Sequence, residues 1–202
     1  MTIDDIMRTA PVIPVLVLDG SVDPTALAET LVEAGLPVLE VTLRTAQALD
    51  AIRAMAKVPG AIVGAGTVLN EAQLGEAIDA GSQFIVSPGL TEPLGKAAIA
   101  SGVAYLPGVA TAADIMRGMD LGLDRFKFFP AETSGGIAAL NALFGPFGNV
   151  RFCPTGGIRP DTAPTWLAEP AVLCVGGTWF VKPGDDFGAI GERARAAAAL
   201  AR

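Results

Sequence analysis

Short apolar runs alternate with amphipathic stretches along the chain, and this alternation predicts the order of its strands and helices. Each apolar run is followed by a stretch with helical periodicity. The predicted strands begin near residues 12, 38, 61, 84, 103, 125, 150 and 172, at intervals of about 19 to 26 residues. Near-continuous apolar strands that alternate with helices are typical of a parallel sheet covered by helices.

Capping residues and glycines mark the ends of the predicted helices. Asp23 is a capping residue followed by Pro24 at the first helical position, and this helix is expected to end at Gly35. The remaining predicted helices span roughly 2–9, 45–57, 70–81, 91–101, 111–122 and 134–144, with one from Asp161 and one from Asp186 to the end.

Eight strand–helix units that close on themselves form a TIM (β/α)8 barrel. We therefore predict one barrel domain over residues 1–202, with a short N-terminal helix and a C-terminal helix. A doubly wound open sheet is the competing α/β architecture, and it predicts a glycine-rich dinucleotide fingerprint after the first strand. Residues 17–21, Val-Leu-Asp-Gly-Ser, do not form that fingerprint.

Composition limits the partners of the protein. The chain has a formal net charge of -7 and no long basic run, so nucleic acid is not an expected partner. The strongest apolar run, residues 11–18, is too short and too rich in proline for a membrane span, and the acidic N-terminus lacks a signal-peptide core. Cys153 and Cys174 lie in separate apolar stretches, which predicts buried thiols. We expect a cytoplasmic protein.

The chain contains no histidine. Ser-His-Asp and Cys-His catalysis and histidine-ligated metal sites are therefore excluded. Acid and base chemistry must fall to Glu, Asp, Lys, Tyr or groups of the substrate.

The sixth predicted strand carries a lysine among phenylalanines, within residues 125–132. Alternation places Lys127 and Phe129 on one face and Phe126 and Phe128 on the other. Burial of an ammonium without a partner disfavours its charged form, and a neutral amine can form a Schiff base with a carbonyl substrate. Alternatively, the lysine stem packs on the phenylalanines while its head reaches water.

The second predicted strand has a polar face formed by Glu40, Thr42 and Arg44. In a barrel this face points into the mouth, at the carboxyl ends of the strands where active sites lie. A carboxylate and a guanidinium there are costly unless they are paired or used in catalysis. A structural ion pair and a catalytic carboxylate are equally consistent with this pattern.

Glycine and proline follow several other strands. Gly64-Ala65-Gly66-Thr67 allows a ligand to approach the backbone closely and supplies the Thr67 hydroxyl, although a tight strand-to-helix turn is the simpler interpretation. Taken alone, the stretches 87–89 (Ser-Pro-Gly) and 107–108 (Pro-Gly) are ordinary turns.

A glycine pair follows each of the last two strands, within residues 154–158 and 175–179. In barrels the loops after these strands often bind phosphate, and paired glycines before helix starts can direct N–H groups toward an anion. Two plain turns are the alternative. The predicted phosphate ligands are Gly156, Gly157, Gly176, Gly177 and Thr178.

These groups together describe Schiff-base chemistry on a phosphorylated keto sugar, with no need for a cofactor or a metal. The motifs that carry the chemistry resemble those of the 2-keto-3-deoxy-6-phosphogluconate (KDPG) and 4-hydroxy-2-oxoglutarate (KHG) aldolases, in order and over nearly the whole chain. The motifs are Glu40-Val41-Thr42-Leu43-Arg44-Thr45, Gly64-Ala65-Gly66-Thr67-Val68, Ser87-Pro88-Gly89, Lys127-Phe128-Phe129-Pro130-Ala131-Glu132 and Pro154-Thr155-Gly156-Gly157-Ile158.

The resemblance implies a class I aldolase that cleaves 2-dehydro-3-deoxy-6-phospho-D-gluconate to pyruvate and D-glyceraldehyde 3-phosphate in the Entner–Doudoroff route. It also implies a homotrimer. By this resemblance Lys127 is the Schiff-base lysine and Glu40 the general acid and base.

The resemblance also assigns the groups that bind the substrate. The pyruvate portion is assigned to Arg44, Thr67 and Pro88, the place beside the lysine to Phe129, the hydroxylated carbons to Thr155, and the phosphate to Gly156, Gly157 and Thr178. Family members commonly carry serine where this chain has Thr178, whose hydroxyl is kept and whose extra methyl is expected to lie close to the phosphate.

Two other functions fit the sequence. One is a related aldolase that acts on 4-hydroxy-2-oxoglutarate or on the galactonate epimer of the substrate. The other is a non-catalytic barrel that binds a phosphosugar. The lysine and glutamate argue against the second, because a binding module has no need of a desolvated amine opposite a carboxylate.

Overall fold

The computed structural model describes residues 1–201 and contains eight parallel strands and nine helices in that range. The strands are β1 (Val12–Leu16), β2 (Val38–Thr42), β3 (Ile62–Gly66), β4 (Phe84–Ser87), β5 (Ala104–Val109), β6 (Arg125–Phe128), β7 (Arg151–Pro154) and β8 (Val175–Gly177). The helices are α1 (Ile3–Thr9), α2 (Pro24–Glu33), α3 (Ala48–Met55), α4 (Glu71–Asp79), α5 (Glu92–Ser101), α6 (Ala112–Asp120), α7 (Gly136–Phe144), α8 (Ala163–Leu167) and α9 (Phe187–Ala198).

The strands follow the order β7-β6-β5-β4-β3-β2-β1-β8, and each neighbouring pair is parallel. Two single bridges, Phe152 to Val172 and Thr155 to Gly176, join β7 to the segment of β8 and close the sheet. The predicted (β/α)8 barrel with terminal helices at both ends is therefore confirmed.

Alternation along the strands divides the core into two layers. Leu39 and Val41 of β2 face outward and pack with α3, whereas Val38 faces the barrel interior. The barrel-interior cluster consists of Ile6, Met7, Ile13, Val38, Phe84, Val86, Leu106, Cys153, Leu173 and Cys174.

Helix α1 closes the end of the barrel where the strands begin. Ile6 and Met7 of this helix are fully buried in the barrel-interior cluster. Asp4 of α1 also pairs with Arg125, the first residue of β6, at 2.5 Å between Oδ1 and Nε. The opposite end, where the strands finish, is left for the functional groups.

Four helices begin with a capping side chain at a position where the sequence predicted a helix start. The side chains of Asp23, Asn70, Thr111 and Asp186 accept hydrogen bonds from backbone N–H groups in the first turns of α2, α4, α6 and α9. Each such cap contributes roughly 1 kcal/mol.

Several predicted boundaries are wrong. Helix α3 begins at Ala48 rather than near Thr45, because the Thr45 hydroxyl donates to the Leu18 carbonyl and holds the preceding turn. Helix α8 begins at Ala163 rather than Asp161. Helix α9 ends at Ala198, and the last residue of its predicted span lies outside the described residues.

Two predicted turns belong to strands. Residues 107 and 108 lie inside β5, where Gly108 pairs with Lys127. Gly176 and Gly177 lie inside β8 and pair with Ile13 and Pro14 of β1. The eighth strand also begins at Val175 rather than near 172.

Candidate active site

Lys127 and Glu40 meet inside the barrel, near the end where the strands finish. Lys127 belongs to β6 and Glu40 to β2, and these strands are four positions apart in the order of eight, so they face each other across the interior. The Nζ atom of Lys127 donates to Oε1 of Glu40 at 2.9 Å. Their side chains are only 8% and 4% exposed, so this is a buried charge pair rather than a solvated one.

Two glycines on β3 make room for neighbouring side chains, one of them for Glu40. A Cβ atom on Gly66 would lie 2.3 Å from Oε1 and 2.7 Å from Cγ of Glu40. A Cβ atom on Gly64 would lie 2.5 Å from the ring of Phe84 in the barrel interior. Close approach of side chains to the backbone therefore accounts for both glycines of the Gly64-Ala65-Gly66 stretch.

Phe129 and Gly108 flank the lysine. Lys127 Nζ lies 5.4 Å from the centroid of the Phe129 ring, within the range of a cation–π contact. Gly108, which pairs with Lys127, approaches the β4–α5 loop so closely that a Cβ atom there would lie 2.1 Å from the Pro88 carbonyl oxygen. The loop containing Pro88 therefore lies directly against β5, the strand that pairs with β6.

A buried tyrosine fixes the same loop. The Ser87 hydroxyl donates to the Gly89 carbonyl at 2.7 Å, which leaves the Tyr105 hydroxyl to donate to Ser87 Oγ at 2.7 Å. Burial raises the pKa of Tyr105 to about 12, against the opposing effect of its hydrogen bond with Ser87. Residues 87–89 are an ordinary turn when taken alone, and the resemblance assigned only Pro88 to the pyruvate site, so this hydrogen-bond relay from Tyr105 through Ser87 to Gly89 was not predicted.

Arg44 and Thr67 lie next to each other just beyond β2 and β3. Arg44 is exposed, and its Nε atom lies 3.4 Å from Thr67 Oγ1. Thr67 has a φ of 60°, a left-handed conformation that is uncommon for a β-branched residue. Strained backbone of this kind clusters at functional sites, so the observation favours a role for Thr67 in binding.

The two glycine pairs differ in conformation. Gly156 and Gly157 follow β7 with φ values of 102° and 82°, in a loop that runs on to α8. Gly176 and Gly177 instead lie in β8, and neither has a positive φ. Neither pair lies directly before a helix, since α8 begins at Ala163 and α9 at Phe187.

Neighbouring side chains explain the pair in β8. A Cβ atom on Gly176 would lie 2.3 Å from Thr155 Oγ1, and one on Gly177 would lie 2.2 Å from the Trp179 ring. Thr155 is buried beside β8, whereas Thr178 is exposed just after it. The residues predicted to contact the sugar and the phosphate thus lie on two adjacent strand ends.

Two residues without a predicted role also belong to this end of the barrel. Trp166 Nε1 donates to Oε1 of Glu132 at 2.9 Å, between α8 and the loop after β6. Glu132 is the last residue of the lysine motif, but Trp166 lies outside every motif described above. The contact between the two residues was therefore not predicted.

The chain is a (β/α)8 barrel that brings an amine and a carboxylate into contact in its interior. The family model described as "KDPG and KHG aldolase" matches residues 3–192. The chain belongs to the KDPG and KHG aldolase family.

Individual members of the family match this chain over nearly its full length. A 2-dehydro-3-deoxy-phosphogluconate aldolase from Zymomonas mobilis is 58% identical over 201 residues, which cover 99% of this chain and 97% of the relative. The crystal structure of a 2-keto-3-deoxy-6-phosphogluconate aldolase of Zymomonas mobilis with 3-phosphoglycerate has a TM-score of 0.97 at 58% identity, covering 99% of this chain and 96% of that chain.

A more distant relative carries a bound reactant. The structure of a KDPG aldolase from Legionella pneumophila, with pyruvate captured at low pH as a covalent carbinolamine intermediate, has a TM-score of 0.94 at 39% identity. The match covers 98% of this chain and 99% of that chain.

Among residues 1–201, none of the helices combines the length and the apolar character that a membrane span requires.

Proposed function

We propose that this protein is a class I aldolase that cleaves 2-dehydro-3-deoxy-6-phospho-D-gluconate to pyruvate and D-glyceraldehyde 3-phosphate. The observation that carries the proposal is the 2.9 Å contact between Lys127 Nζ and Glu40 Oε1 inside the barrel. An amine nucleophile needs a group that takes up its proton, and the carboxylate is already in hydrogen-bond contact with it. The names of the relatives support the substrate and the reaction.

The reaction begins with the neutral amine of Lys127. Its nitrogen attacks the C2 ketone of the substrate to form a carbinolamine, and loss of water gives an iminium ion. The covalent carbinolamine with pyruvate in the Legionella pneumophila enzyme supports the same step here. Arg44 pairs with the C1 carboxylate, and Thr67 and Pro88 complete the pyruvate site.

Glu40 then acts as the base. It removes the proton of the C4 hydroxyl, directly or through a water, the C3–C4 bond breaks, and the aldehyde leaves. The iminium ion accepts the electron pair of the broken bond and becomes an enamine. Glu40 returns a proton to C3, and hydrolysis frees pyruvate and the lysine.

The glycine turn after β7 receives the phosphate in this proposal. Two successive residues with positive φ, Gly156 and Gly157, can turn backbone N–H groups toward an anion. Thr178 adds a hydroxyl from the adjacent strand end, and the buried Thr155 contacts the hydroxylated carbons. Gly176 and Gly177 contribute through packing, since they admit Thr155 and Trp179.

We also propose a homotrimer that works in the Entner–Doudoroff route, on the basis of the family resemblance. Light scattering measures the molar mass in solution and so tests the trimer directly. The two cysteines, Cys153 and Cys174, are buried and do not form a disulfide with each other, which is compatible with a cytoplasmic location.

Borohydride trapping tests the proposal. The protein is incubated with pyruvate, reduced with borohydride and digested, and the modified peptide is identified by mass spectrometry. We expect a reduced pyruvate adduct on Lys127 in the wild-type protein and no adduct in Lys127→Met. Lys57→Met is the matched control, because Lys57 is exposed after α3.

The trapping result is combined with a cleavage assay that follows pyruvate release from the phosphorylated substrate. Near-normal cleavage by Lys127→Met contradicts the assignment of the nucleophile. Absence of both adduct and cleavage in folded wild-type protein contradicts the aldolase function. Comparison with the galactonate epimer under the same conditions measures the stereopreference.

A further inference from the structure

The loop after β6 lies directly against the glycine turn that follows β7. The N–H of Ala131 donates to the Thr155 carbonyl at 2.8 Å, and the N–H of Glu132 donates to the Gly156 carbonyl at 3.1 Å. These bonds continue the pairing of β6 with β7 beyond the ends of both strands. A displacement of this loop therefore displaces the glycine turn.

The stem of Glu132 covers the second glycine of that turn. Gly157 has a φ of 82°, and a Cβ atom on it would lie 2.7 Å from both Cβ and Cγ of Glu132. The Gly157 backbone and the Glu132 stem are therefore in direct contact, with no room for a side chain between them. The position of the stem limits where the N–H group of Gly157 can lie.

The carboxylate at the end of this stem is held by Trp166. Its Nε1 atom donates to Glu132 Oε1 at 2.9 Å. The indole is only 1% exposed, and its ring centroid lies 6.3 Å from that of Phe128, the strand neighbour of Lys127. Because the ring is packed into the core, the hydrogen bond fixes a carboxylate that belongs to an otherwise exposed residue.

We propose that Glu132 and Trp166 are positioning residues that hold the Gly156–Gly157 turn in the shape that receives the substrate's phosphate. Their contact makes the enzyme selective for phosphorylated substrates, while the chemistry at Lys127 proceeds without it. This inference rests on the proposed aldolase function and adds to it the device that sets affinity for the phosphate end.

In this proposal the hydrogen bond from Trp166, and not the charge of Glu132, holds the turn. A carboxylate near a bound phosphate repels it, and the bond from Trp166 draws the Oε1 atom toward α8. Glu132→Gln keeps an oxygen that can accept from Trp166 and removes the charge. Glu132→Ala removes both the acceptor and the stem, and Trp166→Phe removes the donor while it keeps a large aromatic ring.

Two reactions separate the phosphate end from the pyruvate end. Cleavage of the phosphorylated substrate uses both ends, whereas exchange of the methyl protons of pyruvate for deuterium needs only the enamine formed on the lysine. We expect Trp166→Phe and Glu132→Ala to raise KM for the phosphorylated substrate about threefold to tenfold, as expected for one hydrogen bond. Their rates of pyruvate exchange should equal that of the wild-type protein.

Glu132→Gln should retain a KM close to the wild-type value. The matched control is Glu169→Ala, because Glu169 also accepts one side-chain hydrogen bond, from Asn141, but lies past the end of α8. We expect this control to leave both reactions unchanged.

Three outcomes overturn the inference. Equal loss of cleavage and of pyruvate exchange indicates general loosening of the barrel. An unchanged KM in both Trp166→Phe and Glu132→Ala shows that the contact does not hold the turn. A Glu132→Gln variant as impaired as Glu132→Ala shows that charge matters. If Trp166→Phe does not fold, the variants at the exposed residue Glu132 still test the inference.

Titration with inorganic phosphate keeps this test independent of the aldolase assignment. Wild-type protein that binds phosphate more tightly than Glu132→Ala supports the positioning role even if cleavage is absent, and equal binding overturns it. Failure of trapping and cleavage in the wild-type protein contradicts the proposed function alone.

Discussion

Glu40 and Lys127 are separated by 87 positions in the chain, yet Oε1 of the first lies 2.9 Å from Nζ of the second. Opposite strands of the barrel bring them together, and neither side chain has substantial access to water. Each group is therefore the main compensation for burial of the other. The pair carries both the proposed chemistry and a share of the stability, and the two contributions can be measured separately.

Substitution Glu40→Gln is expected to lower kcat about 10²-fold to 10⁴-fold, the usual contribution of a general acid or base. The affinity for pyruvate should change far less, because the amide keeps the shape of the side chain. Stopped-flow kinetics of cleavage and equilibrium titration with pyruvate measure the two effects. A change in pyruvate binding without a change in kcat would show that Glu40 has only a structural role.

The stability of the pair is measured by a double-mutant cycle. Lys127→Met and Glu40→Gln each leave one member of the buried pair without its opposite charge, so each should lower the free energy of unfolding. The double variant should lose less stability than the two single losses combined, since no uncompensated charge remains. Urea unfolding of the four proteins gives the coupling, and strictly additive losses would contradict a direct interaction. Near-ultraviolet circular dichroism checks that Lys127→Met retains the folded barrel.

Substitution Gly66→Ala tests whether space at β3 sets the position of the carboxylate. The new Cβ atom would lie 2.3 Å from Glu40 Oε1, so the carboxylate must move. We expect a loss in kcat of about 10²-fold, as for other small displacements of catalytic groups. Gly75→Ala is the control, because nothing lies within 4 Å of its Cβ position and it lies in α4, where alanine is favoured. Equal kcat in both variants would show that Glu40 tolerates displacement.

Much of the fold could be predicted because local signals and the barrel agree. Alternation places Glu40 and Val41 on opposite faces of β2, and Lys127 and Phe128 on opposite faces of β6. The first residue of each pair then faces the barrel interior and the second faces the helices, as the two layers of the core require. Capping residues such as Asn70 and Thr111 begin helices at the predicted positions. These features depend only on near neighbours in the chain.

The errors arose where distant segments decide the conformation. Pro107-Gly108 has the composition of a turn, but the glycine lies in a strand and admits the Pro88 carbonyl from another loop. Leu173 and Cys174 both belong to the barrel-interior cluster, so alternation fails there and the strand begins only at Val175. The contact of Glu132 with Trp166 likewise depends on packing of the loop after β6 against α8, which no local pattern contains.

Tyr105 provides a pH-dependent test of the relay that holds the Pro88 loop. Burial raises its pKa to about 12 from the ordinary value of 10.0, so the folded protein retains the phenolic proton after the unfolded chain has lost it. The folded state thus binds more protons than the unfolded state between those values, and stability falls as the pH rises from about 10 to about 12. Below pH 10 this contribution is fully present.

The measurement is direct because the chain contains a single tyrosine. Ultraviolet absorbance of tyrosinate should show a midpoint near pH 12 in folded protein and near 10 after denaturation in urea. Tyr105→Phe should reduce the alkaline fall in stability, and it should also raise the Kd for pyruvate, since the Ser87 hydroxyl that fixes the Gly89 carbonyl loses its donor. A midpoint near pH 10 in the folded protein would contradict the burial of this hydroxyl. An unchanged Kd of Tyr105→Phe for pyruvate would show that the hydrogen bond from Tyr105 to Ser87 does not affect the pyruvate site.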